Sequence, residues 1–368
     1  MKLLQLDINN FRSHSEAVLK PEAGVNLIYG RNGSGKTNLL EAIHYACLTK
    51  SFLATTDSEA LRFEADSFDV VALMQNDLGN ESVVRVYYSA LDGKHVFINR
   101  SPLDQFSRIV GEFPCVSLSP YDIALTQGAP QDRRKFLDLS ISQTNKAYLY
   151  DLLNYKRLLA QRNKLLSDIK FRNSGNHELE VWTQNLATVA ASIIFERLKF
   201  TAQFSAYLKD AYKRFHSFDE TPLLSYSSEF GIDDDVPTKE WLVDKIVDKF
   251  VEIKQEELRR GQTLLGPHRD DLEFLINGTA VKKFASQGQH KTFVICLKLA
   301  QHAYIKELLG ETPIFLLDDV FSELDLDRAG ELVELLKTHG FGQTFITTTE
   351  PKSFSGINQI NVQTASKH

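Results

Sequence analysis

Cysteine is scarce in this chain of 368 residues: Cys47, Cys115 and Cys296 are its full complement. An odd count with no C-x-x-C pair argues against a disulfide framework and against structural zinc. Their apolar neighbours mark them as small core residues. No stretch approaches the ~20 apolar residues that a membrane-spanning helix needs. Nor does the N-terminus carry a signal peptide, because Gln5, Asp7, Asn9 and Asn10 interrupt any apolar run. The alternation of Leu4, Leu6 and Ile8 predicts a first β-strand instead, and the expected location is the cytoplasm. Positive charge is also in short supply. Lys and Arg number 42 against 48 Asp and Glu, a net charge of −6. That balance argues against a bulk electrostatic hold on nucleic acid, so any such site must be a local patch or be assembled with a partner. Fixed-period repeats and low-complexity tracts are missing as well.

What is present is an ordinary globular composition, 43% hydrophobic and 24% charged. Single cores stop growing near ~250–300 residues, so two lobes are expected. Val25–Tyr29 reads as an apolar strand entering a glycine-rich turn, and a helical pattern follows from Lys36 with Leu39, Leu40, Ile43 and Ala46 on one face. An antiparallel region comes next, with strands over 70–74, 83–88 and 95–99 and an Asp92-Gly93 turn. Helical patterns cover about 133–170, 179–215 and 239–258. A looser stretch with Pro222, Gly231, Asp233-Asp234-Asp235 and Pro237 reads as a linker or an exposed β excursion. A hairpin is predicted from 272–276, an Asn277-Gly278 turn and 280–284. Then come a helix over 289–308, a buried strand over 314–317, a helix over 328–339 and a strand over 344–348. The fold class is therefore α/β, with a sheet closed by both ends of the chain and a mostly helical middle.

Gly30-Arg31-Asn32-Gly33-Ser34-Gly35-Lys36-Thr37 matches G-x-x-x-x-G-K-[ST] in full, after an apolar strand and opening a helix. Glycines let the backbone wrap an anion, and the helix N-terminus adds roughly half a positive charge. Lys36 is the candidate bridge between the β- and γ-phosphates of ATP, Thr37 a candidate ligand of Mg²⁺, and Asn38 follows at the helix start. Ile314-Phe315-Leu316-Leu317-Asp318-Asp319 is an apolar strand ending in two carboxylates, which fits a Walker B element. Asp318 is the candidate Mg²⁺ holder and Asp319 the candidate base that orients the attacking water. Lys36 and Asp318 lie 282 positions apart, so something large is inserted between them.

Ser286-Gln287-Gly288-Gln289 lies 32 residues before Asp318, with Ser286 placed as a helix N-cap. Ser322-Glu323-Leu324-Asp325 follows Asp319 directly. This series resembles the ABC ATPases and, within them, the SMC-like branch. Asn10-Phe11-Arg12, Ser119-Pro120-Tyr121-Asp122, Arg133-Arg134, Gly266-Pro267-His268-Arg269-Asp270-Asp271 and Asp318 to Asp325 together are similar to the RecF family along nearly the whole chain. The resemblance implies a P-loop ABC-type ATPase head with a mixed sheet, a mostly helical second lobe and no long coiled coil. The expected division puts 1–118 and 304–368 in the ATP-binding lobe and 119–303 in the second lobe, ending in the signature motif. Ser286 to Gln289 would complete the ATP site of a second copy in a head-to-head homodimer, with Ser322 to Asp325 as the D-loop. Arg12 would approach the nucleotide phosphates. The resemblance further implies ATP-driven binding to duplex or gapped DNA, work with RecR and RecO, loading of RecA and a link to the SOS response.

Three departures stand out. Asp319 occupies the place of the usual glutamate, so slow ATP hydrolysis, stimulated by DNA, is expected. Thr347-Thr348-Thr349 stands where a switch histidine is expected. Ser119 to Asp122 takes the place of a Q-loop glutamine. For DNA, the candidate phosphate contacts are Arg133, Arg134 and Lys135, then Arg259 and Arg260, then Lys282 and Lys283. A solvated helix face or an internal ion pair is the other reading of each. Three rival functions remain at this point: a transporter-type ABC ATPase subunit, a P-loop kinase for a small metabolite, and an SMC-like structural head that bridges DNA.

Overall fold

Period-two burial is cleanest in the strand Ser67–Gln75, where every second residue is buried, as expected for a sheet with one covered face. The computed structural model describes residues 1–53, 56–172, 176–215, 220–231, 237–324, 326–351 and 354–367. Its strands are β1 (Lys2–Phe11), β2 (His14–Leu19), β3 (Val25–Tyr29), β4 (Ser67–Gln75), β5 (Glu81–Ser89), β6 (Gly93–Ile98), β7 (Ser101–Pro102), β8 (Cys115–Leu118), β9 (Pro222–Ser227), β10 (Asp271–Ile276), β11 (Thr279–Ala280), β12 (Ile314–Leu317), β13 (Thr344–Thr348), β14 (Asn358–Asn361) and β15 (Ser366–Lys367). The longer helices are α1 (Lys36–Leu48), α2 (Pro130–Thr144), α3 (Lys146–Arg172), α4 (Asn176–Phe215), α5 (Lys239–Arg260), α6 (Gln287–Leu309) and α7 (Leu326–Thr338). Among the described residues, no helix is long and apolar enough to cross a membrane.

The chain divides into two units. One comprises Met1–Ile123, Asp210–Asp219 and Lys291–His368; the other comprises Ala124–Lys209 and Glu220–His290. The boundaries thus fall after 123 and 290, and α4 and α6 each contribute residues to both units. Within α6 the apolar run Phe293, Cys296, Leu297 and Ala300 is fully buried.

The first unit holds a sheet of order β15-β2-β1-β4-β5-β6-β7 and a parallel sheet of order β14-β3-β13-β12-β8. The central parallel strands β3, β13 and β12 are buried along nearly their whole length, as strands covered on both faces are. Helix α1 is buried from Leu39 through Leu48, and Tyr45 meets Phe11 and Phe68 edge-on at 5.7 and 5.5 Å. All three cysteines are buried and free of disulfides. In β1 the inward residues are Leu3, Leu6, Ile8 and Phe11, since a register shift against β4 between Leu3 and Gln5 exchanges Leu4 for Leu3.

The second unit is helical around a small sheet of order β11-β10-β9. Its longest helix, α4, has 40 residues. Thr238 caps α5 by accepting from Trp241 N at 3.2 Å, and Gly261 ends it at φ 74°. Phe136, Phe200 and Phe204 pack ring to ring, the last two stacked at 4.7 Å. The Pro222 stretch is a strand, β9, pairing with β10 through Tyr226↔Leu272; Asp233 to Asp235 lie outside the described residues. The predicted strand over 280–284 is mostly a short helix, Val281–Phe284, because β11 ends after pairing with Leu275 and Ile276.

Candidate functional site

The carboxyl ends of parallel strands are where open α/β sheets gather ligands. Here β3 leads into Gly30, β13 ends at Thr348, β12 leads into Asp318 and β8 into Ser119. Their registers, Leu27↔Ile346, Leu317↔Ile346 and Leu118↔Leu317, align these ends. Four distant segments thus meet through backbone pairing alone.

The glycine loop is shaped as an anion cradle. Gly33 and Gly35 adopt φ of 78° and 91°, which side-chain-bearing residues rarely hold. A Cβ on Gly35 would also lie 2.6 Å from the His14 ring, and one on Gly30 would lie 2.5 Å from Val362. The N-cap of α1, Gly35, has no side-chain hydrogen bond, and the first turn has no acidic residue, so the positive helix end faces the loop. Lys36 Nζ donates to the carbonyls of Gly30 and Arg31 at 2.8 and 3.0 Å. The Ser34 hydroxyl oxygen is buried with no hydrogen-bond partner among the described residues, an unmet polar group in the loop that would wrap a phosphate.

Across the loop, Thr37 Oγ1 donates to Asp318 Oδ1 at 2.8 Å, although the two are 281 residues apart. Thr347 Oγ1 donates to the same oxygen at 2.7 Å and accepts from Asp319 N at 2.8 Å. Burial raises the Asp318 carboxyl pKa, and the Thr347 and Thr37 hydroxyls pull it back. Asp319 sits in the left-handed region at φ 49°, which turns the chain sharply after β12. A cleft of about 380 Å³ follows, lined by Lys36, Thr37, Asp318, Asp319 and Tyr121 among others. One hydroxyl and one carboxylate, both hard oxygen donors, fit an Mg²⁺ whose other ligands are phosphate and water. No group of three or more His, Cys, Asp or Glu among the described residues forms a metal cage. Nucleotide-borne Mg²⁺ is what this donor set suits.

Two neighbours were not legible as site residues. His14 is 3% exposed, and its Nε2 donates to the Gly35 carbonyl at 3.1 Å; burial lowers its pKa. Thr347 looked only like the residue replacing a histidine. Neither has a local sequence signal, because β2 and β13 deliver them from elsewhere.

Other expected residues are placed differently. Arg12 does not line the cleft. It makes a two-pronged ion pair with Glu41 at 2.6 and 2.8 Å and donates to Glu59 O at 2.6 Å, because Glu41 is fully buried in α1 and needs a cation. Asn38 does line the cleft, with its Nδ2 donating to Ser13 Oγ at 2.8 Å. Ser322 Oγ donates to Asp319 O at 2.8 Å, and Glu323 and Leu324 follow in and after a 3₁₀ turn. Asp325 lies outside the described residues.

Ser286 to Gln289 belong to the second unit. Ser286 Oγ accepts from Gln289 N at 3.2 Å and Gln289 Oε1 from Ser286 N at 2.8 Å. This is a reciprocal capping box. Gln287 and Gly288 are exposed at the helix start.

The cationic candidates fare unequally. Arg133 is 5% exposed and grips Asp271 with Nε and Nη2 at 2.7 and 2.8 Å. Arg134 Nη1 donates to Asp270 O at 2.6 Å. Arg133 holds the 266–271 loop in place and is not a surface phosphate contact, since burying an unpaired cation costs too much, so the structure corrects that expectation; Arg134 is only half-buried and spends one N–H on the same loop. Lys135 is 70% exposed. Arg259 and Arg260 are exposed and share Glu256.

Comparison with known proteins agrees with this geometry. The family described as RecF/RecN/SMC N terminal domain matches residues 2–367. The chain is 63% identical over 362 residues to the DNA replication and repair protein RecF of Chloroherpeton thalassium, covering 98% of each. It superposes on the recombination mediator protein RecF with ATP, of the RecFOR pathway, with TM-score 0.91 and 33% identity. That match covers 98% of this chain and 95% of the other. The Smc head domain of Pyrococcus furiosus shares the fold, with TM-score 0.51 and 15% identity.

Proposed function

The chain belongs to the RecF family within the RecF/RecN/SMC N-terminal domain group, and from that membership we propose that it is an ATP-gated DNA replication and repair protein. The observation that carries the reading is the convergence of the Thr37 and Thr347 hydroxyls on one Asp318 carboxylate oxygen beside the glycine loop. Bound Mg²⁺ would supply charge neutralisation for the phosphates. Lys36 would release its two loop carbonyls to a phosphate, Thr37 and Asp318 would hold the metal, and Asp319 would orient water. Asp319 is shorter than a glutamate and its backbone is pinned by Thr347, so turnover is slow and rises on DNA.

Ser286 to Gln289 sit at a capped helix start with three exposed residues, a fit for the phosphate end of a nucleotide held by a second copy. ATP then joins two copies head to head, and the homodimer grips duplex DNA beside single-strand gaps. Action with RecR and RecO, delivery of RecA to gapped DNA and a role in the SOS response complete the reading. The work is placed in the cytoplasm. Lys135, Arg259 and Arg260 remain the proposed phosphate contacts.

The test is fluorescence anisotropy on a gapped duplex, with and without Mg-ATP, at two salt concentrations. Affinity that rises with ATP and falls with salt supports the reading. ATP binding without any DNA binding refutes the DNA half and leaves a structural ATPase head.

A further inference from the structure

The segment after β8 is built more firmly than a surface turn requires. Pro120–Ile123 forms a 3₁₀ turn. Asp122 Oδ2 accepts from Ser119 N at 2.7 Å and from Ser119 Oγ at 3.2 Å, and Asp122 N donates to Ser119 O at 3.0 Å. The other Asp122 oxygen pairs at 2.7 Å with Lys298, which is only 9% exposed. Pro120 restricts the backbone further. This anchor begins beside the two carboxylates, since Asp318 N donates to Leu118 O at 2.8 Å.

What the turn holds outward is Tyr121, 72% exposed and lining the cleft with Lys36 and Asp319. Its hydroxyl has no hydrogen-bond partner among the described residues. Single exposed aromatics are ordinary, but the other strongly exposed ones of this unit, such as Phe63, line no phosphate cleft. The chemistry of the cleft is lopsided. Cationic and N–H donors lie on the glycine-loop side, while the opposite wall carries Asp318 and Asp319. On that wall the Thr347 hydroxyl is already committed to Asp318. The Thr349 hydroxyl and the Tyr121 phenol also line the cleft and are neutral donors that can meet an anionic oxygen without charge repulsion; of the two, the phenol is the one carried on the anchored turn.

We propose that Tyr121 discriminates nucleoside triphosphate from diphosphate by donating a hydrogen bond from its hydroxyl to the terminal phosphate. This rests on the ATP-binding reading above. The measurement is isothermal calorimetry on the full chain with Mg²⁺, using a non-hydrolysable ATP analogue and, separately, ADP. Wild type, Tyr121→Phe and Tyr121→Ala are compared. Tyr121→Phe weakens triphosphate binding about tenfold, the size of one charge-assisted hydrogen bond, and leaves ADP within twofold. Tyr121→Ala weakens the triphosphate at least as much. Equal losses for both nucleotides, or no loss for either, overturn the proposal while wild-type binding keeps the ATP site intact. Wild type that binds neither nucleotide overturns the ATP reading itself. Thermal melting of each variant checks the fold, which an exposed side chain leaves unchanged.

Discussion

Replacing Thr347 by valine tests the carboxylate junction with almost no change of volume. The threonine is 1% exposed, and its one hydroxyl both donates to Asp318 and accepts from Asp319 N. Valine removes a hydrogen bond to a carboxylate, worth ~1.5–3 kcal/mol, and strands a backbone N–H, worth ~1–3 kcal/mol. The two share one atom and do not simply add, so about 3 kcal/mol of stability is lost. A second effect runs through ionisation. The Thr347 bond holds the Asp318 carboxyl pKa down against burial. Its loss lets that pKa rise further, and the pH midpoint of Mg²⁺-dependent nucleotide binding moves upward. Urea unfolding reads the first effect and nucleotide binding across pH 5 to 8 reads the second. Thr347→Ser keeps the hydroxyl and loses one methyl, about 0.8 kcal/mol, with an unmoved pH midpoint. A valine variant as stable as wild type, or a serine variant as impaired as valine, would show that the hydroxyl does not organise the site.

Arg133→Ala leaves Asp271 without its cation and lowers stability by about 3 kcal/mol, with the salt dependence of DNA binding unchanged; a changed salt slope at wild-type stability would return Arg133 to the DNA surface. Asp270, 2% exposed, has its pKa pushed up to about 6 from 3.8, chiefly by burial. Its stabilising contribution is full below pH ~4 and is lost as pH rises through about 6, by at most roughly 3 kcal/mol. Chemical denaturation of Asp270→Asn should lack this decline, and identical pH profiles for the two proteins would contradict it. Ser286→Arg breaks the capping box, costs about 1 kcal/mol and abolishes ATP-dependent dimers while monomers still bind ATP. Light scattering that finds ATP-dependent dimers of this variant would refute the site shared between two copies.

Much was legible along the chain. The glycine loop, the strand ending in Asp318-Asp319 and the Ser286 cap are each set by neighbours in sequence: φ-permissive glycines, a run of four apolar residues, and a hydroxyl three positions before a glutamine. Strand β12 begins and ends where its apolar run does, and β13 has the expected bounds, Thr344–Thr348. Tertiary structure decided the rest, because it depended on partners far away in the chain. Arg12 read as a nucleotide contact, and Arg133 as either a DNA contact or an internal ion pair, until Glu41 and Asp271 were brought to them by α1 and β10. The carboxylates are numerous enough in this acidic chain that only packing could say which ones need an internal cation. Thr347 and His14 became part of the phosphate site through strand register, which a linear sequence does not display. Tyr121 gained meaning only when β8 was laid against β12. The sequence by itself determined which chemistry this protein carries; the parallel pairing of four strand ends decided which side chains surround it.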